Sequence, residues 1–245
     1  MVYLYRFVGY VLRSCYDFIA GIRTGDAHVL SNYALAIIAM AVIFKIVLMP
    51  LTIKQSKSMA KTQALSEQIK EIQKKYGNDT QTIARKQQEL YKEAGVNPMS
   101  GCLPLLLQMP ILVSMYRVVL MPTQFVFTEP GLYESINTSF FWIPDMKLAD
   151  ATMILPLLAS VIQFFSSRLM RASMPQQSSG NKEQDAAMKQ TNDMMSIVMP
   201  VMFFFMYRAL PAAIPLYIGT NMLLSTLEQV FVKNRVINRV KNEEN

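Results

Sequence analysis

The stretch YALAIIAMAVIFKIVLMPL, from Tyr33 to Leu51, is an apolar run that contains one charged residue, Lys45. About 20 consecutive apolar residues are enough for a helix to cross a bilayer. A charge at bilayer depth costs roughly 2.5–3.5 kcal/mol on insertion scales, so it normally faces a wet cavity or a partner group. The stretch therefore predicts a membrane-spanning helix that carries a functional lysine.

A second interpretation of Lys45 is a snorkelling lysine, whose stem lies in lipid while its ammonium reaches the interface. The next basic residue, Lys54, is nine residues further along the chain. At helical rise this separation is about 13 Å, a long reach for one side chain. A hydrated pocket around Lys45 is therefore the favoured interpretation.

Further apolar runs follow the first one, and the charges of this 245-residue, 52% hydrophobic chain are segregated from them. The run from Met194 to Val232 is near 58 Å long as a helix, too long for one crossing of a core about 30 Å thick. Arg208 and Pro211 divide that run in two. We therefore predict an all-α polytopic membrane protein, with a five-span core within 33–235. Its spans lie at about 33–53, 99–121, 151–169, 194–208 and 212–232.

Residues 1–32 carry charges too closely spaced for a span, but their apolar residues fall on one helical face. We expect an external amphipathic helix that lies in the membrane interface. A cleaved signal peptide and a lipidated Cys15 are the alternatives. The apolar stretches are short for a signal peptide and no Ala-x-Ala site follows. Leu12-Arg13-Ser14-Cys15 faintly resembles a lipoprotein cleavage box, but the arginine beside the cleavage site makes it a poor one.

The polar stretch 54–97 predicts two helices joined by a turn. Gly77-Asn78 is the turn signal, Asp79 or the residue after it can cap the second helix, and Gly95 can end it. The stretch carries nine Lys/Arg and five Asp/Glu, with a thin apolar stripe. It is predicted to be a helical hairpin, and a solvated helical linker is the alternative interpretation.

The distribution of basic residues predicts the topology. Seventeen Lys/Arg lie in the segments on one side of the predicted spans, and five lie in the segments on the other. Because cytoplasmic loops carry an excess of Lys/Arg, the first side is the cytoplasmic one. The N-terminus is therefore predicted outside the cell membrane and the C-terminus inside, with 236–245 as a basic tail. The cytoplasmic segments are 54–97, 168–193 and 233–245.

The sequence gives little support for catalysis or metal binding. Two cysteines and one histidine are too few for a disulfide framework or a zinc cluster. A Ser-Lys protease would need a desolvated lysine, but no serine in the spans has a nucleophile motif. We therefore expect no enzyme, no metal and no cofactor. An ion-driven transporter is a more serious rival, although the acid found in a span, Glu228, lies at a span's end.

Uncharged polar residues and methionines recur within the predicted spans. The polar residues can line a wet groove with Lys45, although each also has an ordinary explanation as a contact between helices. They are Gln108, Ser160, Gln163, Thr220, Asn221 and Ser225. The methionines share one face of the fourth span, where lipid-facing packing and an adaptable slide for passing helices are the two interpretations. They are Met195, Met199, Met202 and Met206.

Two segments resemble the YidC/Oxa/Alb family of membrane protein insertases. They are GVNPMSGCLPLLLQMPI, Gly95 to Ile111, and FKIVLMPLTIKQSKSM, Phe44 to Met59. The resemblance covers about residues 30–235, and the size is similar to the short form usual in Gram-positive-type bacteria. It implies an insertase and chaperone that inserts and folds membrane proteins. The spans of the family's members enclose a hydrophilic groove that is open to the cytoplasm and lipid but closed on the outer side.

The resemblance also implies roles for single residues. In that family an arginine in the first span attracts acidic residues in the substrate's external tail. Here the position holds Lys45, which keeps the charge but loses the bidentate fork. Tyr217 and Asn221 keep the family's spacing of an aromatic residue four before an asparagine. The implied substrate groove contains Lys45, Gln108, Gln163, Tyr217 and Asn221.

The partners that the resemblance implies are nascent membrane proteins, the lipid bilayer, the Sec translocon, the ribosome and signal recognition particle components. The hairpin 54–97 would receive the substrate or its targeting factors. The tail from Lys233 has only four basic residues, so its contact with ribosomal RNA should be weak. No small-molecule substrate is expected. The alternative function is a small-solute secondary transporter, which must at some point open outward.

Overall fold

The computed structural model describes residues 1–23, 29–77, 79–97, 103–171, 194 and 198–243. Within these ranges the protein is helical, as predicted, and its β-bridges are isolated ones at Phe140. The helices are α1 Val2–Ile22, α2 Asn32–Ala64, α3 Ser66–Tyr76, α4 Thr80–Glu93, α5 Leu103–Leu120, α6 Pro122–Phe125, α7 Leu132–Ser135, α8 Ile154–Arg171, α9 Val198–Arg208 and α10 Ala213–Glu243.

One described segment, Asn32–Ser58 of α2, is long and apolar enough to cross a membrane by length and composition. Three shorter apolar helices are Leu106–Leu120, Ile154–Leu169 and Val198–Arg208. Each begins inside one of the predicted spans. These helices agree with a membrane protein, while the five-span arrangement itself stays a prediction.

The helix α2 continues well beyond the predicted end of the first span. It runs unbroken through Pro50 to Ala64, although we expected the span to end near residue 53 and a separate hairpin to begin at Lys54. The stretch from Lys54 to Ala64 contains no glycine or proline, so nothing in it stops helix propagation. The span and the first hairpin helix are therefore one helix as far as Ala64.

The chain forms two compact units. The first comprises Met1–Leu48, Leu105–Gln163 and Pro200–Ser225, and the second comprises Met49–Pro104, Phe164–Met199 and Thr226–Asn245. In the first unit, small and apolar residues of α2 form one buried core with residues of α1, α5 and α10. In the second unit, α3 contacts α4, and Ile69 and Ile83 are buried.

The N-terminal helix α1 divides its apolar residues between two environments. Val8, Leu12 and Cys15 are buried in the core of the first unit, whereas Phe7 and Phe18 are exposed. The sequence predicted a single apolar face for this helix. Periodicity alone cannot show which apolar residues pack on protein and which are exposed. The helix is thus a core element with an exposed aromatic side.

Close packing fixes α1 against α6. A Cβ at Gly9 would lie 2.0 Å from the carbonyl oxygen of Phe125, so glycine is required at this approach. One turn further on, the Arg13 guanidinium donates to Asp17 at 2.8 Å and to Glu129 at 3.0 Å. The packing at Gly9 and the ion pair with Glu129 hold α1 on the loop that follows α5, while the contact with Asp17 lies within α1.

The loop between α5 and α8 is held by one buried carboxylate, Asp150. This carboxylate accepts hydrogen bonds from the indole N–H of Trp142 at 3.2 Å, the N–H of Thr152 at 2.9 Å and the N–H of Leu155 at 2.8 Å. Burial by itself raises the pKa of Asp150. The hydrogen bonds together outweigh burial and keep that pKa below its ordinary value. Asp150 thereby fixes the start of α8.

The second unit contains two helices at the predicted hairpin positions. Asp79 caps α4 by accepting from the N–H of Thr82 at 3.0 Å. Gly95, with φ of +63°, follows the last residues of α4. Leu65 separates α2 from α3, so the first arm of the hairpin is itself divided.

Candidate functional site

Around Lys45, α2 buries a charged residue beside the buried Phe44 and leaves the next two apolar residues exposed. Lys45 is only 8% exposed, whereas Ile46 is 58% and Val47 66% exposed. A helix of a water-soluble protein shows the reverse distribution. The pattern is that of a helix whose outer face contacts lipid and whose inner face carries one charged group among apolar ones.

The Lys45 ammonium is directed at α10. Its Nζ donates a hydrogen bond to Ser225 Oγ at 2.9 Å. A snorkelling lysine would instead extend along its own helix towards the interface. The Ser225 hydroxyl orients the ammonium but brings no negative charge of its own.

Three of the predicted groove residues form a hydrogen-bonded triad between α5 and α10. Gln108 Nε2 donates to the Tyr217 hydroxyl at 3.3 Å, and Asn221 Nδ2 donates to the same hydroxyl at 3.3 Å. Asn221 Nδ2 also lies 3.4 Å from Gln108 Oε1. Tyr217 is fully buried, and the two amides are half-buried. All three distances exceed the usual 2.9–3.0 Å for N–H···O bonds, so the triad is loosely held.

The polar residues of α10 fall on one line. Tyr217, Asn221 and Ser225 follow one another at intervals of four, which places them on one helical face. That face meets Gln108 of α5 and Lys45 of α2 through the hydrogen bonds above. Within the first unit, α10 therefore presents one polar strip to two other helices.

Three other polar residues named from the sequence are placed differently. Ser160 donates to the carbonyl of Pro156, and Thr220 donates to the carbonyl of Leu216. Both hydroxyls are therefore satisfied within their own helices. Gln163 is half-buried on α8, and no hydrogen bond between it and the triad is found in the described part of the chain. Its predicted groove role stays a prediction.

The methionines of the proposed slide lie on an exposed helix. Met199, Met202 and Met206 of α9 are all exposed, and Met195 lies outside the described residues. Val201 and Phe205 are exposed as well, so the exposed surface of α9 is wider than one methionine stripe. The role of these methionines as a slide for passing helices stays a prediction.

The second unit contains polar contacts that sequence reasoning missed. Thr52 Oγ1 donates to Glu228 Oε1 at 2.5 Å, and the hydroxyls of Ser166 and Thr226 lie 2.5 Å apart. From the sequence alone, Glu228 is only an acid at the end of a predicted span. The available signal was the spacing of Thr52, seven residues after Lys45, which places both on one face of α2.

The described residues contain no group of three or more His, Cys, Asp or Glu side chains placed to hold a metal ion. Among the described residues, the site offers one oriented cation, two half-buried amides and a phenol. Such groups bind polar and anionic partners by hydrogen bonds and charge.

Comparison with known proteins places the chain in a family. The model of the "60Kd inner membrane protein" family matches residues 26–239. A membrane protein insertase YidC of Clostridium perfringens is 36% identical over 202 residues, which is 82% of this chain and 79% of the relative. The insertase YidC of Fusobacterium nucleatum is 33% identical over 216 residues, 87% of this chain and 92% of the relative.

A longer relative matches over part of its length. The insertase YidC of Francisella philomiragia is 34% identical over 202 residues, 81% of this chain but 32% of that relative. The matches confirm the resemblance found in the two sequence segments. The chain belongs to the 60Kd inner membrane protein family, and the YidC insertases of Clostridium perfringens and Fusobacterium nucleatum are similar to it over most of its length.

Proposed function

We propose that this chain is a membrane protein insertase and chaperone that acts on nascent membrane proteins without catalysing a reaction. The observation that carries the proposal is the buried, oriented Lys45 on a helix that leaves the adjacent apolar residues Ile46 and Val47 exposed. The relatives named above are insertases, and nothing in the geometry favours the small-solute transporter over that function.

The role of Lys45 follows from electrostatics. An acidic residue in a client's external tail costs roughly 2.5–3.5 kcal/mol at the bilayer centre. A cation about 4 Å away offsets about 4 kcal/mol at an effective dielectric of about 20, and about 1 kcal/mol in water. The ammonium that Ser225 orients is therefore strong enough to offset most of the client's penalty while the tail crosses.

The loosely held triad supplies neutral polar contacts. Gln108 and Asn221 each have donors and an acceptor, and their present bonds are long. A client's polar atoms can replace such bonds at small cost, because the amides exchange one partner for another. Tyr217, Gln108 and Asn221 thus serve as a polar lining, with Gln163 as a further member.

The proposal includes the layout predicted from the sequence. It places five spans in a cell membrane, with α1 in the outer interface, the N-terminus outside and the C-terminus inside. The hairpin 54–97 receives clients or targeting factors, and the methionines of α9 provide an apolar slide. The Sec translocon, the ribosome and signal recognition particle components are proposed partners. The exposed aromatic side of α1 supports the interfacial location.

Reconstitution tests the function directly. A short single-span client is translated in the presence of liposomes that contain the purified protein, and insertion is read from protease protection of its translocated tail. We expect protection well above that given by empty liposomes. Equal protection in both preparations contradicts the proposed function.

A further inference from the structure

Within its described residues, the second unit contains a buried glutamine whose side-chain amide makes no hydrogen bond. Gln55 of α2 is 5% exposed, and among the residues that the structure describes neither its Nε2 nor its Oε1 has a hydrogen-bond partner. Leaving a buried amide donor and acceptor unpaired costs stability, because both groups lose water without replacement. An unpaired group of this kind calls for a physical explanation.

Gln55 lies on a stretch of α2 that buries polar residues and exposes apolar ones. In the second unit Met49 and Leu51 are exposed, whereas Gln55 and Thr62 are buried. The Thr62 hydroxyl donates to the carbonyl of Ser58, and the Thr52 hydroxyl donates to Glu228. The two threonines of this polar face thus have partners, whereas the amide of Gln55 has none within the described part of the chain.

We propose that Gln55 binds the main chain of the client polypeptide. Its Nε2 would donate to a peptide carbonyl and its Oε1 would accept from a peptide N–H. This inference rests on the proposed insertase function and names the chemistry of a second client contact. A chain entering the bilayer has unsatisfied peptide groups until its helix is complete. A side-chain amide offers the complementary donor and acceptor.

The chemistry also predicts the specificity of this contact. An amide is neutral, so Gln55 serves every client irrespective of the charge of its tail, unlike Lys45. Both amide atoms are shielded from solvent, so the client must displace the side chains that cover them. An apolar residue would be more stable at this buried position, and a locally unfavourable residue is typical of a functional site.

The test compares Gln55→Met with a matched control. Methionine keeps the unbranched shape and removes the amide. Gln124→Met makes the same change on an exposed position of α6. Each variant is assayed for thermal unfolding and for insertion of two clients that differ by one aspartate in the external tail. Lys45→Leu is included as the charge-dependent reference.

We expect Gln55→Met to raise the unfolding midpoint by about 2–4 °C, because two unpaired polar groups are removed. Insertion of both clients should fall by about five- to tenfold and to the same extent. Gln124→Met should change neither quantity. A lower midpoint, unchanged insertion, or a loss confined to the acidic client overturns the inference.

Crosslinking supplies a second readout. The Gln55→Cys variant is made with Cys15 and Cys102 replaced by serine. It is mixed with a series of clients, each of which carries one cysteine at a different successive position, and disulfide formation is induced by an oxidant. Main-chain binding predicts disulfides with several successive client positions, since peptide groups recur at every residue. The absence of adducts overturns the inference. Failure of the wild-type protein to insert any client would instead contradict the proposed function, so the two failures are distinguishable.

Discussion

Replacing Lys45 with leucine should separate folding from insertion. The change removes a charge that is only 8% exposed, and Ser225 can turn its hydroxyl to a carbonyl of its own helix. Folding should therefore be retained or improved. Insertion of a client with an acidic external tail should be impaired, because the ammonium no longer offsets the penalty of the crossing carboxylate.

The size of the effect follows from two bounds. Attraction between unit charges about 4 Å apart lies between about 1 kcal/mol in water and about 4 kcal/mol at an effective dielectric of about 20. The client's own penalty, roughly 2.5–3.5 kcal/mol, limits what the lysine can offset. If the lysine offsets about 2 kcal/mol of that penalty, its removal corresponds to a roughly 30-fold loss of insertion. A client without the acid should lose less than about twofold.

The assay uses vesicles that carry each variant and two clients that differ by one tail aspartate. Lys45→Arg should insert the acidic client at least as well as wild type, since arginine adds a bidentate donor. Lys147→Leu removes the same charge from an exposed position of the loop before α8 and serves as the control. Equal insertion of the acidic client by Lys45→Leu and wild type would refute the electrostatic role. An equal loss in Lys147→Leu would show that general surface charge is responsible.

Three further predictions follow from the fold. Asp150→Ala should destabilise the protein by about 1–2 kcal/mol, because the start of α8 loses its capping carboxylate. Since the folded pKa of Asp150 lies below its unfolded value, its contribution is complete above the unfolded pKa and is lost as pH falls through the folded pKa. Unfolding midpoints of wild type and variant should therefore converge at low pH, and a constant difference would exclude this origin. Gly9→Ala should lower the unfolding midpoint by an amount equivalent to about 1–3 kcal/mol, because the new Cβ meets the carbonyl of Phe125; an unchanged midpoint would show that α1 is not held there. Cysteine substituted at Ser135 should be labelled in intact cells by a membrane-impermeant maleimide, and cysteine substituted at Ser66 should not be, as the charge distribution requires. Labelling of the Ser66 position from outside would invert the topology.

Local sequence signals predicted local structure well. Asp79 caps α4 and Gly95 has a positive φ after it, since capping and chain reversal depend on neighbouring residues. The continuation of α2 beyond residue 53 to Ala64 was not predicted. The change from apolar to polar residues at Lys54 marks the end of a span, but it does not end a helix, and 54–64 contains no glycine or proline that would stop it.

Features that depend on tertiary packing were less predictable. The spacing of Tyr217 and Asn221 indicated one face of α10, but their bonds to Gln108 depend on how α5 packs. Gln55 lies in a polar stretch of sequence, where an exposed side chain is the ordinary expectation. Only the packed structure shows that its amide is buried. Sequence periodicity identifies a polar face, but not which of its members lack partners.

The central claim is that the charge of Lys45 favours clients whose external tails carry the opposite charge. Reversing the charge of this residue tests the claim most directly. Lys45→Glu and wild type are each reconstituted in vesicles without a membrane potential. Each is given two clients whose external tails differ only in carrying one aspartate or one lysine. Wild type should insert the aspartate client better, and Lys45→Glu should insert the lysine client better, which is a reversal of preference. The same order of preference in both proteins would contradict the claim.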